Sequence, residues 1–332
     1  MKAPVFWQAK PPSLVARLLQ PIGAVYGAVT AHRMGRPRVD LGVPIICVGN
    51  FTVGGEGKTP AAMLVAGLLI ARGERVFFLS RGYGGARRPV EPVLVDPAHH
   101  DFRDVGDEPL LLARTAPVIV GANRTRSAQA ARAAGASVLI MDDGLQSAGL
   151  RFAFALAVVD SRARFGNGLC VPAGPLRAPV GAQARHVDAV LRIGAQEISD
   201  LGTAPIFSAN LQPAPEALAA LGQANCLAFA GIGRPDKFFA TLEEHGIHVH
   251  ERRAFPDHYP YSSRDLQQLA RQAKDGTLRL VTTEKDFVRL PAAWRDTEKV
   301  LALPVALELT ETQKFSAAIF AALENYRDRL PS

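Results

Sequence analysis

The 332-residue sequence predicts an α/β protein: a doubly wound sheet with a second, smaller α/β domain and an N-terminal amphipathic helix. Three observations carry that prediction. Apolar runs of strand length alternate with stretches of helical spacing. One of those runs passes directly into a glycine-rich turn and then an apolar helix. The composition, 48% hydrophobic and 21% charged, is that of a globular chain and excludes a disordered or fibrous protein. At roughly 150 residues per domain, the length accommodates two cores.

Taken in order, the first element is helical. After Pro11-Pro12, apolar residues recur at Leu14, Leu18, Ile22, Val25 and Val29, flanked by Val15, Leu19 and Tyr26, with Pro21 predicting a kink. Its charge-free stretch, Leu18 to Ala31, reaches only about 21 Å at 1.5 Å per residue, short of the roughly 30 Å hydrocarbon core. A spanning helix is therefore not expected. Val29-Thr30-Ala31 imitates a signal-peptide cleavage site, but Pro21, Gly23 and Gly27 inside the segment argue against that reading. Two readings remain: a helix packed on the domain, and one lying on a membrane surface.

Charge placement bears on the choice. The chain carries a formal +7, and six basic but no acidic residues (Lys2, Lys10, Arg17, Arg33, Arg36, Arg38) fall within the first 39. The remainder is nearly neutral, so no basic face for nucleic acid is predicted. Residues 1–38 instead read as a segment for an anionic membrane surface. The three cysteines, Cys47, Cys170 and Cys226, lack CxxC spacing and indicate neither a disulfide framework nor a cysteine zinc site.

The next element is the strand Val43–Val48. It runs into Gly49-Asn-Phe-Thr-Val-Gly-Gly-Glu-Gly-Lys-Thr59 and the helix Ala61–Ala71. Strand, glycine-rich turn, Lys-Thr and helix make a phosphate cradle, because backbone N–H groups and the positive helix end converge on phosphate oxygens. Thr52, Gly54, Gly55, Glu56, Gly57, Lys58 and Thr59 form the candidate nucleotide loop. Lys58 would reach the β- and γ-phosphates, and the Thr59 hydroxyl would bind Mg²⁺. Thr52 stands where the usual pattern has glycine, and Gly54, Gly55 and Gly57 compensate. The fold is accordingly of the P-loop NTPase type.

Further strands are predicted at Arg75–Leu79, Val118–Val120, Ser137–Met141 and Ala153–Asp160, with helices at Pro109–Arg114 and Ser127–Ala134. The strand ending at Met141 leads into Asp142-Asp143-Gly, where acidic residues beside a phosphate loop hold Mg²⁺. Gly166–Pro179 reads as a long functional loop. The chain turns Pro/Ala-rich near 210–226, and a new α/β unit starts at Leu227. The expected organisation is an N-terminal segment 1–38, a P-loop domain 39–222 and a smaller domain 223–332 closing the cleft.

A guanine-binding N/T-K-x-D motif is missing: in Thr282-Thr-Glu-Lys-Asp286 the Lys and Asp are adjacent, and a capped helix start accounts for them. That counts against a nucleotide-dependent switch. Gly106-Asp-Glu-Pro109 places two carboxylates before a helix, and Phe255-Pro-Asp-His-Tyr-Pro260 fixes a histidine between prolines. Either a carboxylate or a histidine can take the proton from an acceptor hydroxyl in phosphoryl transfer. A kinase acting on a membrane lipid and a soluble P-loop kinase or NTPase for a small acceptor both fit these residues.

Together, Val48–Pro60, Ser80-Arg-Gly-Tyr-Gly-Gly85, Gly106–Pro109, Asp142-Asp-Gly-Leu-Gln146, Gly166-Asn-Gly168, Pro172–Arg177, Phe229-Ala-Gly-Ile-Gly233, Phe255–His258 and Thr283–Asp286 resemble the tetraacyldisaccharide 4'-kinases. The resemblance runs in order from about residue 15 to 290. It implies an ATP- and Mg²⁺-dependent kinase that phosphorylates the 4'-hydroxyl of a tetraacylated glucosamine disaccharide 1-phosphate. The enzyme would act in lipid A synthesis at the cytoplasmic face of the inner membrane. By that resemblance Asp107 is the general base, His258 from the second domain orients it, and Lys58 and Thr59 serve the nucleotide. Glu108, Asp142 and Asp143 would serve Mg²⁺. Arg124 and Arg177 are candidates for anionic phosphates, and Tyr83 and Gln146 would line the cleft. Ser147 and Ala153 depart from the family pattern, which commonly has a histidine and an acidic residue there.

Overall fold

The computed structural model describes residues 4–54, 57–85, 91–147, 149–198, 201–295 and 299–329. The first long element is α1 (Leu14–Met34), capped by the Ser13 hydroxyl and running through Pro21 as one helix. Then follow β1 (Ile45–Gly49), α2 (Lys58–Ala71), β2 (Val76–Ser80), β3 (Val93–Leu94), α3 (Phe102–Val105) and α4 (Asp107–Leu112). Next come β4 (Val118–Val120), α5 (Arg124–Ala133), β5 (Val138–Asp142), β6 (Phe154–Asp160), α6 (Val180–Ala184), β7 (Ala189–Ile193) and β8 (Ile206–Pro213).

These strands join one sheet in the order β13-β8-β7-β6-β1-β5-β2-β4-β3, where β13 is Val305–Leu309. Every pairing from β8 to β4 is parallel, and the two edge strands run antiparallel. The central strands β1, β5 and β6 are buried along their whole length. Their near-continuous apolar runs are what a parallel sheet covered on both faces requires. Pairing β1 with β5 sets Val48 opposite Asp142, so the glycine-rich turn and the acidic turn leave the same sheet edge side by side. Ligands of doubly wound sheets bind at that carboxyl edge.

A second, all-parallel sheet, β10-β9-β11-β12, is formed by β9 (Cys226–Ala230), β10 (Val249–Ala254), β11 (Arg279–Thr283) and β12 (Val300–Leu303). Its helices are α7 (Pro215–Leu221), α8 (Pro235–Glu244), α9 (Ser263–Asp275), α10 (Glu284–Phe287) and α11 (Ala292–Arg295). Separate apolar clusters cover its two faces. A capping box between Ser262 and Asp265 starts α9, and Thr283 caps α10 as the sequence predicts.

One boundary needs correction. The sequence reading assigns all of 223–332 to the smaller unit, but the chain returns to the large sheet after Leu303. Strand β13 pairs with β8, and α12 (Thr312–Arg327) inserts Phe315, Ile319 and Leu323 into the large unit's core. Two adjacent strands therefore connect the units, tied at the crossing by Ala214 N–H donating to Pro304 O at 2.9 Å. Burying three large side chains on the sheet outweighs any preference of a short amphipathic helix for its sequence neighbours.

The N-terminal segment attaches through small residues. Only Ala16, Gly23, Gly27 and Met34 of α1 are buried, whereas Leu14, Val15, Leu18, Ile22, Val25, Tyr26 and Val29 face outward. Trp7 is buried and donates its indole N–H to Pro172 O at 2.9 Å. The predicted apolar stripe is thus the outer face of the helix. A Cβ at Gly23 would lie 2.6 Å from the Cys170 carbonyl oxygen, and one at Gly27 2.7 Å from Cys170 Sγ. Gly23→Ala is expected to cost about 1–3 kcal/mol by overpacking against backbone. Thermal unfolding checks this, and an unchanged Tm would refute the close-packing account.

Candidate active site

The predicted phosphate loop is the turn that joins β1 to α2. Gly54 and Gly57 have φ of +132° and +83°, conformations that side chains other than glycine adopt only at a cost. Thr52 has no such φ; it is buried and forms a backbone bridge with Leu176, so the missing glycine leaves no strain there. Gly55 and Glu56 lie outside the described residues. Lys58 and Thr59 open α2 and are buried. The Lys58 ammonium donates to Gly54 O at 2.8 Å and lies 3.8 Å from Asp143 Oδ1.

The loop Gly166–Pro179 fixes this cradle from the side. Val53 N–H donates to Pro175 O at 2.8 Å, and Arg177 donates from its backbone N–H to Phe51 O at 2.9 Å and from Nε to Thr52 O at 3.0 Å. Arg177 Nη2 also reaches Asp143 Oδ2 at 2.9 Å. Gln146 donates to Asn50 O and to Gln183 Oε1, each at 2.7 Å. Arg124 is buried beneath the acidic turn and donates to the carbonyls of Asp142 and Asp143 at 3.1 and 2.8 Å and to the Ser147 hydroxyl. The departure at Ser147 therefore still supplies Arg124 with an acceptor. Arg124, Arg177 and Gln146 hold the walls of the site together.

The acidic turn has unmet demand. Asp142 Oδ1 and Asp143 Oδ1 are buried and meet no hydrogen-bond partner among the described residues. Burial, aided by the charge of Glu108, pushes the Asp142 carboxyl well above the usual carboxylate range. Burial opposes ionisation of Asp143 too, but Lys58 and Arg177 hold it down at about 2. Two such carboxylate oxygens, at the sheet edge from which the glycine-rich turn also leaves, suit a divalent cation. Among the described residues no group of three or more His, Cys, Asp or Glu stands ready to hold a metal ion. Mg²⁺ suits such a site, since it binds through one or two carboxylates together with substrate phosphates and water.

The opposite wall joins α4 of the large unit to residues of the smaller one. Asp107, at the start of α4, is buried; its Oδ1 accepts from Glu108 N–H at 3.0 Å and its Oδ2 lies 3.1 Å from His258 Nδ1. Gly106, φ +89°, admits this turn because a Cβ there would sit 2.5 Å from Tyr83 O. Burial opposes ionisation of Asp107, yet the His258 hydrogen bond and the charges of Lys285 and Arg289 bring it to about 2. The same hydrogen bond raises His258. The exposed Tyr83 ring stands edge-on to the imidazole at 5.6 Å. Asp107 and His258 line a cavity of about 250 Å³ with Gly84, Phe102, Arg103 and Arg289.

Ion pairs between the two units were not foreseen from the sequence. Glu108, expected to serve Mg²⁺, is ion-paired with Lys285 at 2.7 Å. Arg114 meets Glu284 at 3.0 Å, Asp107 meets Arg289 at 3.2 Å, and Asp160 meets Lys237 and Arg234 at 2.8 and 3.4 Å. The only sequence signal was the Thr283–Asp286 motif, which accounts for the helix cap and conceals a docking element.

A glycine-rich phosphate loop, an acidic strand end and a carboxylate–imidazole pair across a two-unit cleft define a P-loop phosphotransferase. Comparison with known proteins gives the particular group. Residues 15–324 match the family model of tetraacyldisaccharide-1-P 4'-kinase. A tetraacyldisaccharide 4'-kinase of Methylobacterium nodulans is 52% identical over 318 residues, covering 94% of this chain and 93% of that protein. One from Rhodopseudomonas palustris is 45% identical over 337 residues, covering 99% of each. The crystal structure of an "apo" form of the corresponding Aquifex aeolicus enzyme in complex with ATP is similar at a TM-score of 0.76 and 26% identity. That match covers 93% of this chain and all of the other. The chain belongs to the tetraacyldisaccharide-1-P 4'-kinase family.

Proposed function

We propose that the chain transfers the γ-phosphoryl group of ATP to the 4'-hydroxyl of a tetraacylated disaccharide 1-phosphate, a step of lipid A biosynthesis. The observation that carries this reading is Asp107, a buried carboxyl group that opens onto a cavity and is hydrogen-bonded to His258. The acceptor hydroxyl donates to Asp107 while its oxygen approaches phosphorus. The bond to the β-phosphate oxygen breaks, ADP leaves, and the hydroxyl proton passes to the carboxylate. A loose transition state gathers little charge on the attacking oxygen, so a weakly basic carboxylate that is always ionised serves well. His258 keeps Asp107 oriented. The loop amides and Lys58 steady the phosphate oxygens.

Asp142 and Asp143, with the Thr59 hydroxyl, would hold Mg²⁺, which neutralises charge on the β- and γ-phosphates. Glu108 acts on this cluster through Asp142 and through its pairing with Lys285. Arg177, at the loop edge with a side chain 21% exposed, remains a candidate for phosphate contact. Arg124 supports the turn beneath. The test is incubation with Mg-ATP and a tetraacyl disaccharide 1-phosphate. Phosphate on the lipid is the expected result; label on other acceptors but none on the lipid would overturn the reading in favour of a soluble small-acceptor kinase.

The membrane reading is supported by α1. By overall length and composition it could cross a membrane, but its charge-free stretch covers only residues 18–31, and 17% of its apolar window is buried. Its seven outward apolar residues, with Lys10, Arg17, Arg33 and Arg36 nearby, suit the surface of an anionic bilayer, and the enzyme would work peripherally at the cytoplasmic face of the inner membrane. Substituting Leu18, Ile22 and Val25 with glutamate leaves the buried face of α1 untouched. Vesicle affinity is expected to fall more than tenfold, since each lost side chain removes about 1.5–3 kcal/mol of burial. Added salt should weaken the parent protein's binding. Unchanged partition on anionic vesicles would reject surface docking.

A further inference from the structure

We propose that Arg289 is a positioning residue that fixes Asp107 and His258 to one another across the cleft. The inference rests on the reading of Asp107 as the base. Arg289 is fully buried, its side chain 1% exposed, in a segment that follows α10 of the smaller unit. Its Nε donates to Lys285 O at 2.9 Å and lies 3.2 Å from Asp107 Oδ2, the same oxygen that meets His258 Nδ1. Its Nη1 donates to Gly231 O at 2.9 Å, and His258 N–H donates to that same carbonyl at 3.0 Å. One planar guanidinium thus shares an acceptor with each end of the His258 residue: its side chain through Asp107, its backbone through Gly231.

The surroundings make this arrangement stiff. Asp286 Oδ1 stands 3.4 Å from Arg289 Nη1 and accepts from Gly231 N–H at 2.8 Å and from the Tyr261 hydroxyl at 2.7 Å. His258 itself has φ +56°, a conformation that a non-glycine residue keeps only when its neighbours enforce it. Arg289 Nη2, by contrast, is buried and meets no hydrogen-bond partner among the described residues. Most buried donors in folded proteins are paired, so the set of this guanidinium follows its other two nitrogens. The fork is oriented by the contacts to Asp107 and Gly231, and its third nitrogen goes unsatisfied as a consequence. Lysine, a point charge on a flexible stem, cannot reproduce that geometry.

The test is a double-mutant cycle in the full chain, assayed with Mg-ATP and the tetraacyl acceptor. Arg289→Lys is expected to lower kcat about tenfold or more, and Arg289→Met about a hundredfold, the penalty of a misplacement near 1 Å. KM for ATP should stay within about twofold. In a His258→Ala background, Arg289→Lys should cost less than about twofold further, because the contact it serves is already gone. Losses that multiply in the double variant, or Arg289→Lys with parental kcat, would overturn the proposal. Should Arg289→Met fail to fold, Arg289→Lys and its cycle, accompanied by thermal unfolding, still decide. Parental kcat in Asp107→Asn would instead remove the base reading itself, whereas a collapse there together with multiplying losses removes only the role of Arg289.

Discussion

Asp107→Asn is expected to lower kcat about 10²- to 10⁴-fold, the usual contribution of a positioned acid or base. Asparagine keeps the size of the side chain and can still accept from Glu108 N–H through its amide oxygen, so α4 should start as before. What it loses is the charge that accepts the acceptor's proton and that pairs with His258 and Arg289. Nucleotide titration should find ATP affinity nearly unchanged, because the phosphate loop is formed by a different segment. Weakened ATP binding with normal turnover would move Asp107 out of the role of base.

Lys58→Met is expected to cost about 10²- to 10³-fold in kcat, comparable to removing a preorganised donor from developing negative charge. Methionine preserves length and fills the buried site at the start of α2. The loss should fall chiefly on kcat, with ATP affinity weakened as well, since Lys58 meets the phosphates in the ground state. The substitution also leaves Asp143 with Arg177 as its remaining close ion-pair partner. Steady-state kinetics beside a nucleotide titration separate the two effects. Parental kcat would show that Lys58 merely braces the loop through Gly54 O.

The parts of the site legible in the sequence are those made by contiguous residues. Gly54, Gly57, Lys58 and Thr59 reveal themselves because a strand, a turn and a helix start must follow one another within a dozen residues. Asp142 and Asp143 are legible for a similar reason: an apolar strand can end in acidic residues only where the sheet edge opens. Arg289 left no such trace. Its partners Asp107 and Gly231 come from two distant segments, and an arginine after a short helix otherwise suggests a solvated side chain. Arg124 and Arg177 show the converse, since arginines beside a phosphate loop suggest phosphate contact and here brace carbonyls and the Asp143 carboxylate. The stripe on α1 was legible as apolar, but its direction was not: Gly23 and Gly27 had to meet Cys170 before the large side chains turned outward.

By itself, the sequence determined the α/β class, the glycine-rich turn before α2, the acidic turn and a basic, acid-free N-terminus, because each depends on local periodicity or adjacent residues. Only the tertiary structure decided that residues 305–327 rejoin the first sheet and that Glu284, Lys285 and Arg289 dock on the helix carrying Asp107. Only there does His258 meet its carboxylate. Those outcomes depend on pairing between segments far apart in the chain, where buried area and charge compensation, rather than local propensity, select the partner.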